Sequence, residues 1–198
     1  MISGPGESDD PPAPGPSAGK AEWRQWARRV RRDLDWPALS ARVGDSLITW
    51  GRLDRSTRVL LYDPLPDEID LTYLSESVEA LLSRTPEDGE MTVHRFEAPR
   101  ERHRYGFSQP IAGEAEVDPA DIDVVLLPGL AFDLAGVRLG RGGGHFDRLL
   151  PRLRADRVLV GVAPEAVVVE RLPREEHDVR VTHLATEDGV RQVAGREG

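Results

Sequence analysis

The apolar run DIDVVLL (121–127) and the glycine-rich stretch after it, PGLAFDLAGVRLGRGGGHFD (128–147), decide the fold prediction. A near-continuous apolar run of this length is typical of a strand covered on both faces of a sheet. A glycine-rich loop between such a strand and a helical pattern lies where ligand crevices form in open α/β sheets. The stretch therefore predicts a parallel sheet with a binding loop at the end of a central strand.

Strands and helices alternate on both sides of this stretch. The apolar runs RVLLY (58–62) and RVLVGV (157–162) predict two more buried strands. The complete set of predicted strands is 58–62, 91–96, 121–127, 157–162 and 179–185, and that of predicted helices is 20–35, 38–50, 71–82, 144–154 and 165–170. This alternation predicts an α/β fold in three layers, α/β/α, with a mostly parallel sheet.

Length and composition exclude several classes of protein. The chain has 198 residues, a net charge of −9 and no cysteine, which predicts one domain without disulfides or thiolate chemistry. The acidic balance argues against nucleic acid as a partner. There is no membrane-length apolar run and no signal-peptide pattern, so we expect a cytoplasmic protein without membrane contact. Residues 1–19 contain four Gly, five Pro and three Ser and are predicted to be a disordered tail before a single domain, 20–198.

The glycine-rich loop carries the composition of an anion site. Its glycines allow backbone amides to close around phosphate, and Arg138 and Arg141 add guanidinium groups suited to phosphate oxygens. The glycines are Gly140, Gly142, Gly143 and Gly144. The loop contains no lysine for a Walker A motif, and its spacing does not fit the dinucleotide pattern GxGxxG. A merely flexible glycine loop remains the alternative.

The segment 128–147 resembles the signature of the 5-formyltetrahydrofolate cyclo-ligase family. Four further segments are similar to that family's motifs in the same order, and together they cover most of 20–189. They are KAEWR (20–24), DEID (67–70), YGFSQP (105–110) and LPREEHD (172–178). The resemblance further implies a fold like that of the sugar-phosphate isomerase and coenzyme-A transferase group.

The resemblance implies an ATP- and Mg²⁺-dependent closure of 5-formyltetrahydrofolate to 5,10-methenyltetrahydrofolate, with release of ADP and phosphate. Matched to the family's motifs, the ATP-binding residues are Lys20, Arg24, Arg138, Leu139, Gly140, Arg141, Gly142, Gly143, Gly144, His145 and Phe146. Arg141 and His145 are the candidate catalytic residues among them. Asp147 matches a magnesium ligand, with a dipole-stabilised acid at a helix start as the alternative.

On the folate side the resemblance points to Glu68, Tyr105 and Gln109 as substrate-binding residues. A carboxylate such as that of Glu68 can accept two N–H bonds from the amino-pyrimidine edge of a pterin. A surface acid and a partly buried core tyrosine are the alternatives for Glu68 and Tyr105. Lys20 and Arg24 stand one helical turn apart and can point at the same polyanion, and Arg28 and Arg31 extend that stripe. The alternative for the stripe is a solvated basic face.

This chain departs from the family's pattern at two places. His145-Phe146 stands where the family has two tyrosines, and Thr182 stands where it commonly has an aspartate implicated in magnesium binding. These changes leave two rivals open: a relative acting on another small acid or formamide, and a non-catalytic nucleotide or folate binder. The expected partners are small molecules, ATP and a reduced folate, bound by a monomer or weak homodimer.

Overall fold

The computed structural model describes residues 11–86, 89–175 and 178–193. Its helices are α1 (Lys20–Val30), α2 (Trp36–Thr49) and α3 (His145–Leu149). Its strands are β1 (Arg58–Leu61), β2 (Glu79–Arg84), β3 (Thr92–Arg95), β4 (Arg100–Arg102), β5 (Ser108–Pro110), β6 (Val124–Pro128), β7 (Ala131–Asp133), β8 (Arg138–Leu139), β9 (Val158–Val162), β10 (Val168–Val169), β11 (His183–Thr186) and β12 (Gly189–Gln192).

The central sheet has the strand order β12-β11-β9-β6-β1-β2-β3. The five inner strands from β11 to β2 are parallel, and β12 and β3 pair antiparallel at the two edges. This confirms the predicted α/β class with a mostly parallel sheet. The strand predicted at 121–127 is β6, which lies in the middle between β9 and β1. Two small sheets, β10-β7-β8 and β4-β5, accompany it.

Successive side chains of a strand point to opposite faces of the sheet, and each apolar face is covered by a helix. Leu60 packs in one core cluster with Trp23, Trp26 and Val30 of α1. Its neighbours Val59 and Leu61 point to the other face and pack with Val43 and Leu47 of α2. Each cluster buries the apolar side of one helix, which is the main source of stability in such a layer arrangement.

The helix predicted at 71–82 is wrong. Residues Thr72–Glu76 form a short 3-10 helix, and Glu79–Arg84 form β2, which pairs parallel with β1. The spacing of Leu74, Val78, Leu81 and Leu82 fits a helix. However, β1 pairs with β6 on one side only, and residues 79–84 form the strand that pairs with its other side. Strand pairing there buries Ala80 and Leu81 on opposite faces, so tertiary context overrides the helical spacing.

Other predicted boundaries shift for local reasons. The helix predicted at 144–154 ends at Leu149 and passes into a 3-10 turn, Leu150–Arg152, that contains Pro151. The helix predicted at 165–170 is only a 3-10 turn, Glu165–Val167, followed by β10. The strand predicted at 179–185 begins at His183. The helix predicted to begin after Pro37 instead includes it in its first turn, where proline is tolerated.

The chain before α1 is described from residue 11 onward. The α1 helix begins at Lys20, and the carbonyl oxygen of Pro11 accepts a hydrogen bond from the buried Trp26 indole at 2.8 Å. Part of the predicted tail, 1–10, lies outside the described residues, so the tail and the domain boundary stay predictions. Within the described ranges, no helix is long and apolar enough to cross a bilayer.

Candidate functional site

The glycine-rich loop lies beyond the carboxyl end of β6. The chain leaves β6 at Pro128, forms β7 and β8, and then runs through 140–144 into α3. Gly142 (φ +108°) and Gly144 (φ +62°) adopt backbone conformations that other residues avoid. The segment can therefore change direction twice within three residues, as a loop that turns its amides toward one anion requires. The helix that follows the loop, predicted at 144–154, is only five residues long (His145–Leu149).

The loop is attached to α1 through Arg24. The Nε atom of Arg24 donates a hydrogen bond to the carbonyl oxygen of Gly140 at 3.0 Å. Lys20, one helical turn earlier, instead pairs with Asp178 (2.9 Å) and Glu175 (3.1 Å). Burial opposes the charge on Lys20, but these two carboxylates outweigh it and raise its pKa above 10.5. The structure thus places Arg24 against the loop, whereas Lys20 pairs with acids of the segment before β11.

Arg138 and Asp147 form an ion pair at the two ends of the loop. An Nη atom of Arg138 donates to Oδ1 of Asp147 at 2.7 Å, and the Arg138 side chain is largely buried. The guanidinium also lies 5.5 Å from the centre of the Phe146 ring. This ion pair joins the two ends of the loop. It places Asp147, the predicted magnesium ligand, next to Arg138, a predicted phosphate ligand.

Arg141 connects the loop to the segment after β1. Its Nε donates to Oε1 of Glu68 at 2.9 Å, and its Nη2 donates to Oδ1 of Asp67 at 2.6 Å. The second oxygen of Glu68, Oε2, accepts the backbone N–H of Leu65 at 3.0 Å. The two acids outweigh the burial of Arg141 and raise the pKa of its guanidinium. The structure therefore brings a predicted phosphate ligand into contact with the predicted folate ligand.

Arg31 connects the loop after β6 to the segment after β1. Its side chain is 2% exposed, and it donates to the carbonyl oxygens of Gly129 (3.0 Å), Leu130 (3.3 Å) and Asp67. Burial lowers the pKa of this guanidinium, and the nearby Asp67 opposes that shift. The sequence predicted that Arg31 extends the Lys20–Arg24 stripe toward a polyanion, whereas in the structure its guanidinium is buried and donates to backbone carbonyl oxygens. One buried cation instead ties the start of the β6 loop to the segment that carries Glu68.

His145 begins α3 and faces other cations. Its Nδ1 atom lies 3.0 Å from an Nη atom of Arg148, which can only donate, so Nδ1 accepts and the ring proton belongs on Nε2. Burial lowers the pKa of His145, and Arg148, His103 and Arg104 lower it further. The imidazole is therefore neutral at pH 7 and presents an N–H donor.

Tyr105 and Gln109 belong to the ribbon formed by β4 and β5. Tyr105 is 57% exposed at the turn of this ribbon, beside Arg104. Gln109 is buried, and its Oε1 accepts the Thr85 amide at 2.9 Å while its Nε2 donates to Glu101 at 3.2 Å. Gln109 therefore anchors the ribbon to the end of β2, whereas Tyr105 is accessible to a ligand.

Structural contacts occupy Thr182, which stands where the family commonly has an aspartate, and Asp178, the last residue of the segment 172–178. The Thr182 hydroxyl accepts the Leu159 amide at 3.0 Å and donates to the Leu159 carbonyl at 2.9 Å. Asp178 pairs with Lys20 and accepts the Glu175 amide at 2.8 Å. His177 of the same motif lies outside the described residues. Across the described ranges, no three His, Asp or Glu side chains form a group that could hold a metal.

Three residues contribute to the site in ways that the sequence did not predict. Asp67 was predicted only as part of a motif, Arg31 was predicted to extend the basic stripe of α1, and Arg148 had no predicted role. The Arg141–Asp67 contact joins residues 74 positions apart, so no local pattern reveals it. Only the Arg148–His145 contact has a local signal, because residues three apart on a helix are neighbours.

Two surface depressions lie away from this site. One, of about 270 Å³, is lined by residues that include Arg58, Glu79 and Arg95. The other, of about 400 Å³, lies between α2 and the β11–β12 turn. Neither is lined by a residue of the glycine loop or by Glu68.

Fold and site together define a three-layer α/β protein whose glycine-rich loop, with its guanidinium groups, stands at the carboxyl edge of a parallel sheet. The profile of the 5-formyltetrahydrofolate cyclo-ligase family matches residues 25–187. The chain belongs to this family.

Individual relatives agree with that membership. The chain is 41% identical over 66 residues to a 5-formyltetrahydrofolate cyclo-ligase of Mycolicibacterium smegmatis, covering 33% of this chain and 34% of the relative. It is 37% identical over 86 residues to a mitochondrial one of Arabidopsis thaliana, covering 38% and 31%. The matched segments thus span about a third of the length of these curated relatives.

Solved structures extend the similarity to nearly the whole chain. The NMR structure of 5,10-methenyltetrahydrofolate synthetase from Aquifex aeolicus is 35% identical and superposes with a TM-score of 0.77, covering 90% of this chain and 95% of that one. A 5,10-methenyltetrahydrofolate synthetase from Mycoplasma pneumoniae superposes with a TM-score of 0.69 at 19% identity, covering 86% and 99%, and shows the shared fold.

Proposed function

We propose that this protein is an ATP-dependent 5-formyltetrahydrofolate cyclo-ligase. It converts 5-formyltetrahydrofolate to 5,10-methenyltetrahydrofolate and releases ADP and phosphate. The observation that carries the proposal is the contact between the glycine loop and Glu68 through Arg141, at 2.9 Å. This contact means that a phosphate held by the loop and a pterin held by Glu68 would be neighbours.

In the proposed reaction the formyl oxygen takes the γ-phosphoryl group, and the folate's own N10 then attacks the activated carbon as phosphate leaves. No protein nucleophile is required, so the protein's contribution is positioning and charge stabilisation. The amides of 140–144, with Arg138 and Arg141, would hold the triphosphate. Arg24 would contribute to the same polyanion, because its guanidinium already lies against Gly140.

We assign His145 the role of a neutral donor. With Nδ1 occupied by Arg148, the Nε2–H group is the one that can donate to a phosphoryl or formyl oxygen. The lowered pKa keeps this donor uncharged at neutral pH. The imidazole can thereby supply the kind of hydrogen bond that a tyrosine hydroxyl supplies in the family's usual sequence. Phe146 keeps a flat ring packed over Arg138.

Magnesium would enter with the nucleotide as a phosphate-bound ion. Mg²⁺ prefers oxygen ligands and commonly keeps several waters, so one carboxylate can be enough. Asp147, whose Oδ1 accepts a hydrogen bond from Arg138, is the residue that would hold this ion. The ion would supply charge neutralisation on the phosphate oxygens. We also infer small-molecule substrates and a monomer or weak homodimer.

The direct test is the near-ultraviolet absorbance of the methenyl product. Purified protein with 5-formyltetrahydrofolate and MgATP should give this signal, and omission of ATP or addition of a magnesium chelator should abolish it. Arg24→Gln should lower the rate at least tenfold at subsaturating ATP, because one charged hydrogen bond is worth about 1.5–3 kcal/mol. Arg29→Gln is the matched control, since Arg29 is exposed on the same helix.

Each rival predicts a different result. Phosphate release with another small acid or formamide, and none with the folate, would establish a relative with another substrate. Calorimetric binding of ATP or folate without turnover would establish a non-catalytic binder. Either result would contradict the proposed activity, and the His145-Phe146 and Thr182 departures are the places to look for its cause.

A further inference from the structure

Both oxygens of the Glu68 carboxylate are engaged by protein groups. Oε1 accepts from Nε of Arg141 at 2.9 Å, and Oε2 accepts from the Leu65 amide at 3.0 Å. The Glu68 side chain is 8% exposed, so water has little access to replace a partner. Each carboxylate oxygen can accept a second hydrogen bond, so a ligand with two adjacent N–H donors can share Oε2 with the Leu65 amide, but at Oε1 it must compete with the Arg141 guanidinium.

Arg141 is the partner that can leave. Its side chain is 34% exposed, and it is flanked by Gly140 and Gly142, the latter at φ +108°. The Leu65 amide belongs to the backbone of the same turn as Glu68 and cannot move independently. Arg141 holds the two acids by side-chain contacts alone, so rotation of its side chain releases both without disturbing the core.

Movement of Arg141 away from Asp67 and Glu68 costs free energy unless its guanidinium pairs with another anion. The guanidinium makes two charged hydrogen bonds, at 2.6 Å to Asp67 and 2.9 Å to Glu68, and together these raise its pKa. A phosphate group is the anion that matches a guanidinium best, because its oxygens can accept two parallel N–H bonds. The backbone of the glycine loop lies immediately on either side of Arg141.

We propose that Arg141 couples the two ligand sites: nucleotide phosphate draws it from Asp67 and Glu68, and the released Glu68 then binds the pterin edge. This inference rests on the proposed function, since it uses a nucleotide and a reduced folate as the two ligands. Each ligand relieves the protein of an ion pair that the other would otherwise have to break. The two ligands consequently bind with positive cooperativity.

Asp67 becomes the residue that sets the size of this coupling. It holds Arg141 from the acid side but is not one of the predicted ligand contacts, and its side chain is 37% exposed. Without its charge, Arg141 leaves Glu68 more readily even before phosphate arrives. Asp67→Asn should therefore bind nucleotide more tightly than the wild type in the absence of folate and show a smaller gain when folate is added.

The test is isothermal titration of a non-hydrolysable ATP analogue with magnesium, with and without saturating 5-formyltetrahydrofolate. We expect the Kd of the wild type for the analogue to fall at least fivefold when folate is present, as in typical coupling between sites. Linkage requires the Kd for folate to fall by the same factor when the analogue is present, which checks the measurement internally. Asp67→Asn should reduce this factor to twofold or less.

Asp156→Asn is the matched control. Asp156 is an exposed acid whose ion pair with Arg154 lies before β9, at the opposite end of that strand from the carboxyl edge. It should leave both the affinities and the coupling unchanged. Thermal unfolding of both variants verifies that each is folded before its binding is compared.

The possible failures are distinguishable. If both ligands bind to the wild type and their affinities are independent, the coupling inference is wrong and the proposed function stands. If the analogue and the folate weaken each other, the inference is also wrong, because the acids and the phosphates would then not exchange Arg141. If the folate does not bind under any condition, the proposed function fails, and the inference fails with it.

Discussion

Replacement of Arg31 by methionine should destabilise the protein strongly, although Arg31 is absent from the predicted ligand contacts. Arg31→Met keeps most of the side-chain volume but removes the donors that satisfy the carbonyl oxygens of Gly129, Leu130 and Asp67. A buried polar group left without a partner costs about 1–3 kcal/mol. Two of these contacts are fully buried. We therefore expect a loss of about 3–5 kcal/mol in the free energy of unfolding.

Such a loss is a large part of the total stability of a typical domain, which is about 5–15 kcal/mol. For a chain of this length it corresponds to a Tm lower by roughly 6–20 °C. Urea denaturation followed by circular dichroism measures it, with Arg29→Met on the exposed side of α1 as the control. Arg31→Lys, which keeps the charge but not the forked geometry, should fall between the two.

A free energy of unfolding for Arg31→Met within 1 kcal/mol of the wild type would contradict this prediction. It would mean that the three carbonyl groups find other partners or water, and that Arg31 does not organise the loops. The destabilisation of the control by the same amount would also contradict it, since the effect would then belong to the helix and not to the buried contacts.

Three further predictions follow from single features of the structure. Gly142→Ala places a side chain at φ +108° and should cost about 1–3 kcal/mol of local strain. It should weaken binding of an ATP analogue at least fivefold by calorimetry, whereas Gly113→Ala, at φ +87° in open space, should not. Asp147→Asn should raise the magnesium concentration needed for half-maximal turnover several-fold, and an unchanged magnesium dependence would remove Asp147 as a ligand. Burial and Arg52 lower the pKa of His183 below 6.5, so its contribution to stability is complete above that pH and is lost as pH falls through the folded-state pKa. Between pH 7.5 and pH 5.0 the free energy of unfolding, measured by urea denaturation, should therefore fall less for His183→Gln than for the wild type. An equal fall in both proteins would contradict this prediction.

Much of the fold was predictable because the apolar runs of the inner strands are typical of strands buried on both faces of a sheet. The runs that became β1, β6 and β9 are buried on both faces, and their patterns admit few other interpretations. The run that became β2 was misread, because Leu74 and Val78 precede it at helical spacing. Only the pairing of β2 with β1 decides between the two structures, and pairing is a tertiary property.

The candidate site was predictable to the extent that it is local. The glycine loop and its arginines are consecutive, so their chemistry is visible in the sequence. The partners of these arginines are not visible in the sequence. Arg141 contacts Asp67 and Glu68 only because the glycine loop and the segment after β1 lie side by side in the fold. In the same way, Arg31 contacts Gly129 only because the end of α1 lies near the end of β6. Charged contacts over such separations depend on the completed fold.

The most direct measurement of the central claim is a crystal structure with a non-hydrolysable ATP analogue and 5-formyltetrahydrofolate bound together. We expect the γ-phosphate within hydrogen-bond distance of the 140–144 amides, with Arg141 on phosphate oxygens and Glu68 on the pterin edge. A nucleotide bound away from this loop, or a pterin that does not touch Glu68, would contradict it.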